Sequence, residues 1–182
     1  MMPDGQIVQI QKKLEEHEER IRKLETLLQT EKEDARARSQ PLVEAGSQKL
    51  SREAGITEEQ LRYVFDFEEE DLNLIQPVHG QNEREKQFRA SICILTGYHY
   101  CYGRDQIRSE ELRKKLEWLG LKSLTNLSTN LSRYKMFIVP KGQPRSPTYG
   151  YKITLPGIKR AIETIKELAA GERSGNDEQD HR

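Results

Sequence analysis

Apolar residues near the start of the chain recur at spacings of three and four: Ile7, Ile10, Leu14, Ile21, Leu24 and Leu28, with His17 at the one polar seam position. Glu, Lys, Arg and Gln fill the positions between. This is the a/d repeat of a coiled coil, and it predicts a helix over residues 1–35 with a seam roughly 37 Å long. With Ile7 at position a, the g residues are Lys13 and Arg20 and the following e residues are Glu18 and Glu25. In a parallel pair each g-to-e′ contact joins opposite charges, whereas an antiparallel pair sets the glutamates against each other. The pattern therefore predicts a parallel homodimer through Ile7, Ile10, Leu14, Ile21, Leu24 and Leu28.

The repeat stops after Leu28. Residues 36–48 contain Pro41 and Gly46 and read as a linker after a fraying helix. Residues 49–80 read as an acidic connector packed on the main domain. Thr57, followed by Glu59 and Gln60, starts a short helix carrying Leu61 and Val64 through a capping box. The Ala54-Gly55-Ile56 turn before it resembles a helix-turn-helix corner. The run Glu68 to Asp71 argues against phosphate contact here.

From residue 81 the period changes repeatedly. Asn82 predicts the start of a helix with Phe88, Ile92, Leu95 and His99 on one stripe, and Gly97 and Gly103 bracket an aromatic turn, YHYCY. Ile107 reads as a short strand. Ser109 reads as the cap of a second helix with Leu112, Leu116 and Leu119 inward and Gly120 as its stop. A third helix, 124–135, turns Leu124, Leu127, Leu131 and Tyr134 to one side. Its other side carries Thr125, Asn126, Thr129 and Arg133, with Asn130 and Ser132 on the shoulders. MFIV and YGYKITL read as strands joined by PKGQPRSP, and Pro156 starts a last helix with Ile158, Ile162, Ile165 and Leu168 on its stripe. Residues 171–182 read as a disordered tail. The fold class expected is mainly α: coiled-coil helix, linker, connector, then an α+β domain over 81–170 with a two-stranded wing.

The stretches SEELRKKLEWLGLKSLTNLSTNLSRYKMFI and GYKITLPGIKRAIETI, in this order of elements, resemble the winged helix-turn-helix superfamily. The resemblance covers about Glu83 to Ala170 and rests on the order and on a Y-x-I-T-x-x-G corner, which identifies no single family within it. It implies a recognition helix at 124–135 and a wing at 140–149. A recognition helix must offer short donors and acceptors to base edges, which the Ser/Thr/Asn face supplies while the leucines hold the core. Cations for phosphates flank it: Arg113, Lys114 and Lys115 on the second helix, Arg133 and Lys135 leaving the third, Lys141 and Arg145 in the wing.

Charge strengthens this picture. The chain is neutral overall, yet residues 1–82 hold 11 basic against 18 acidic residues, and residues 98–160 hold 13 against 4. Catalysis finds no comparable support. His17, His79, His99 and His181 are scattered, as are Cys93 and Cys101. Only His99-x-Cys101 is a close pair, with no second pair at zinc spacing. Gly103, Gly142 and Gly150 form no phosphate loop. No enzyme, cofactor or metal is expected. The absence of a long apolar run or leader pattern leads us to expect a cytoplasmic protein, nucleoid-associated if it binds DNA, with no membrane partner. The reading is a homodimeric regulator of transcription on double-stranded DNA. The competing reading is a coiled-coil adaptor whose winged helix takes a protein partner.

Overall fold

The computed structural model describes residues 4–68, 71–144 and 146–171, and the side chains of all of these except 4–12 and 31–41. Arg145, the tail beyond residue 171 and the Ile7 and Ile10 side chains lie outside the described residues. The chain is mainly helical with two small antiparallel sheets, an α+β arrangement in two units, Met1–Gln40 and Pro41–Arg182.

Helix α1 runs Asp4–Ala54. It continues through residues 36–48, where the pattern predicts a linker. Losing the apolar repeat removes a seam but not helix propensity: Arg, Ala, Gln and Glu of this stretch are strong helix formers, and the helix runs on through Pro41 and Gly46. Within the first unit, Leu14, Ile21, Leu24 and Leu28 are each more than half exposed.

The second unit has one core, and the expected connector belongs to it. Leu50 and Ala54 of α1, Leu61 and Val64 of α2 (Glu58–Val64), and Leu72 and Leu74 all join that core. Thr57 caps α2 with the full capping box to Gln60. Strands β1 (Phe65–Phe67) and β2 (Leu72–Leu74) pair as a hairpin that the apolar pattern did not mark.

Helix α3 (Glu83–Tyr102), capped by Asn82, passes through the centre, with every residue from Ala90 to Tyr98 buried. It is apolar nearly all round because other elements pack on every side of it. The expected aromatic turn is therefore the last part of α3. Tyr98 and Tyr102, one turn apart, send their hydroxyls to the β1–β2 turn, where they meet the Asp71 side chain and the Glu68 and Asp71 carbonyls. Tyr100 faces α1, bonding Glu53 under the Lys49 ammonium. Gly97 is not a turn residue either: a Cβ there would lie 2.9 Å from the Leu72 side chain. Gly103, at φ 61°, is the true stop.

Next come β3 (Gln106–Arg108), α4 (Ser109–Trp118), a 3-10 turn (Leu124–Asn126), α5 (Leu127–Leu131), a second 3-10 turn (Ser132–Tyr134), β4 (Ile138–Lys141), β5 (Gly150–Ile153) and α6 (Leu155–Ala170). Sheet order is β3-β5-β4, all antiparallel. Ser109 is the first residue of α4 rather than its cap, and no side chain caps that end. Thr154 caps α6 by accepting from the Gly157 N–H at 3.1 Å, and the Arg89–Glu167 ion pair joins α3 to α6.

Candidate nucleic-acid interface

The approach to α5 is set by two left-handed residues. Gly120 (φ 79°) ends α4, with Gly120 N–H donating to the Glu117 carbonyl and Leu121 N–H to the Leu116 carbonyl. This crossed pair satisfies the carbonyls a helix end leaves open. Ser123 then adopts φ 59°, the one non-glycine in that region among the described residues, and swings the chain into the 3-10 turn.

The predicted helix 124–135 is α-helical only over Leu127–Leu131, with 3-10 turns on both sides and Lys135 beyond them. Ser, Thr and Asn compete for nearby backbone groups, and Ser132 Oγ does so here, donating to the Thr129 carbonyl at 2.8 Å. Buried Leu127 and Leu131 hold the segment. Tyr134 stacks on Phe88 with ring centres 3.9 Å apart.

Two polar bonds fix the inner shoulder of α5. Asn130 Nδ2 donates to Gln87 Oε1 at 2.9 Å, and Gln87, fully buried, donates onward to the Lys122 carbonyl at 2.6 Å. Asn130 therefore faces the core and leaves the reading set. Thr125, Asn126, Thr129 and Arg133 are exposed and make no side-chain hydrogen bond among the described residues.

The wing brings two distant cations together. Arg108 of β3 and Lys141 of β4 both pair with Gly150 of β5 from opposite edges. In register the two residues stand two strand spacings apart, about 10 Å. Gly150 permits this, since a Cβ there would lie 2.2 Å from the Ile107 carbonyl. On the inner face Tyr149 ties the wing to α5, its hydroxyl 3.0 Å from Ser128 Oγ. Lys152 is held by Asp105 at 2.8 Å, and Asp105 also meets His99 at 2.9 Å. Lys152 first and His99 next hold the Asp105 carboxyl below its usual range.

Ion pairing divides the cations. Lys86, Arg89 and Arg160 on α3 and α6 are each matched to a carboxylate. Arg108, Arg113, Arg133, Lys135 and Lys141 have no ion pair among the described residues. Lys159 and Lys166 on α6 are unpaired too, so the division is partial. Lys114 pairs with Glu110 at 2.9 Å, but both are largely exposed, where such a pair contributes little. Lys115 does not belong with the phosphate set: it is buried and bonded to Asp71 and Asn73.

Arg108 is the residue sequence reasoning missed; only strand register places it opposite Lys141. Among the described residues no cluster of His, Cys, Asp and Glu could hold a metal ion. Both thiols are buried, and burial pushes Cys101 up to about 12 and Cys93 higher still. No described helix is long and apolar enough to cross a membrane. No protein-family model, curated protein or solved structure matches the chain.

Proposed function

We propose that the chain is a homodimeric, winged-helix DNA-binding protein, a regulator of transcription that reads the major groove from 124–135 and grips phosphates with the 140–149 wing. The observation that carries this reading is the exposed surface of α5 and its two flanking 3-10 turns. Thr125, Asn126 and Thr129, suited to base edges, are exposed and make no side-chain hydrogen bond among the described residues, and Arg133 and Lys135 beside them have no ion pair there. The element order from α3 to α6, with sheet order β3-β5-β4, supports a winged helix. The exposed leucine seam of α1, with its opposite g and e′ charges, supports a parallel pair.

An adaptor is the second reading, and exposed apolar side chains favour it. Trp118, Met136 and Leu155 are 60–76% exposed, and Thr154 Oγ1, donating to the Met136 carbonyl at 2.6 Å, brings the last two close. Titration of duplex DNA at several salt concentrations separates the two. Each phosphate neutralised by a cation steepens the fall of log K with log salt by about 0.9. Duplex binding with such a slope supports the regulator; no binding at any salt leaves the adaptor.

A further inference from the structure

We infer that Asn126, at the end of the 3-10 turn leading into α5, reads an adenine in the major groove and is the one residue of α5 and its flanking turns that gives the chain a base preference; the inference rests on the DNA-binding reading above. α5 and its flanking turns carry two side-chain amides, Asn126 and Asn130. Asn130 is committed to Gln87, whose own amide is committed to the Lys122 carbonyl. Asn126 is exposed, and its side chain has no partner among the described residues.

Its backbone is held on both sides. Asn126 N–H donates to the Ser123 carbonyl, next to the left-handed turn, and fully buried Leu127 follows immediately. The amide is thus free while its Cα is fixed, which is what a reading side chain needs.

The chemistry selects the base. Adenine presents an acceptor at N7 beside a donor at N6, and a carboxamide offers the matching donor and acceptor together. Thr125, Thr129 and Ser128 have one hydroxyl each, which bonds to several base edges or to phosphate without choosing. Arg133 and Lys135 lie past the last α-helical residue, where the chain leaves α5, and suit the sugar-phosphate backbone.

The experiment is selection from a random duplex library by the full-length protein and by Asn126→Ala and Asn126→Asp. One adenine of the selected site is then replaced by 7-deazaadenine, which keeps its Watson–Crick pairing and loses N7. The parent should enrich a fixed adenine and lose roughly 2- to 15-fold in affinity on the deaza duplex, the worth of one hydrogen bond. Both variants should melt like the parent, show no adenine preference and ignore the deaza change. Adenine enrichment that survives in either variant overturns the inference. So does a parent that binds duplexes with a salt slope but enriches no adenine, an outcome that leaves the DNA-binding reading intact. A parent that binds no duplex at any salt overturns both.

Discussion

The Lys115 ammonium lies 2.6 Å from the Asp71 carboxylate, joining the inward face of α4 to the turn of the β1–β2 hairpin. Only 8% of the lysine is exposed. Asn73 Oδ1 takes a second proton at 3.1 Å, the Tyr98 ring lies 5.5 Å away, and the Tyr98 hydroxyl donates to the same carboxylate. A buried ammonium persists only with its charge matched and its protons bonded, and this cluster does both. Asp71 thus serves as the counter-charge for a helix of the candidate interface.

Replacing Lys115 by Met keeps most of the volume and removes the charge. We expect a loss of about 1–3 kcal/mol, the range for hydrogen bonds to charged groups, since Asp71 is partly exposed and regains water. Urea unfolding measures it, and a variant as stable as the parent would show that the pair contributes nothing.

Acid should weaken the same link. Burial alone raises the Asp71 carboxyl, but the Lys115 ammonium, the Tyr98 hydroxyl and the Leu72 N–H outweigh it and hold it below the usual Asp value. A carboxyl lowered in the folded state adds stability that is present above its unfolded pKa, about 3.9, and is lost as pH falls through the folded value. Asp71→Asn should therefore be less stable than the parent at neutral pH, with the gap closing below about pH 4. Urea midpoints across pH test this; a gap independent of pH would refute it.

Gly46→Ala probes the packing of α1 on α3. The new Cβ would lie 2.3 Å from the Tyr100 carbonyl oxygen and 2.6 Å from Cys101 Cα, both backbone atoms that cannot rotate away. Alanine gains about 1 kcal/mol in helix propensity, yet forcing the helices apart should outweigh that and leave a net loss of about 1–3 kcal/mol. Thermal unfolding decides the sign, and a raised Tm would mean that the two helices do not approach so closely.

The paired change Glu18→Lys and Glu25→Lys tests the seam. It would set like charges at both g-to-e′ contacts of a parallel pair, each exposed contact being worth about 0.2–1 kcal/mol. Sedimentation equilibrium should show a weaker dimer. An unchanged or tighter dimer would rule out the parallel register.

Local signals in the chain were legible without tertiary contacts. Thr57 and Asn82 each accept from the N–H three residues on, so cap and helix start lie in one short segment. Gly120 adopts positive φ next to the helix it ends, and that preference belongs to glycine itself. The leucine spacing at 124, 127 and 131 marked the inner side of α5 for the same local reason, leaving Thr125, Asn126 and Thr129 outward.

Tertiary structure decided whatever depends on a partner far along the chain. A glycine looks the same in sequence whether it makes a turn or admits a neighbour; Gly46 and Gly97 proved to be close approaches to Tyr100 and Leu72. Alternating tyrosines look like a strand, yet in α3 they divide between the hairpin and α1. Helical spacing sets Lys115 beside the leucine stripe and Asn130 on its shoulder, but names no partner for either. Asp71 turned one inward and Gln87 the other. Capping and periodicity act within a turn or two of one helix, so a sequence records them directly. Burial and charge pairing depend on which residues the fold brings within a few ångströms, and those are set only when the core closes.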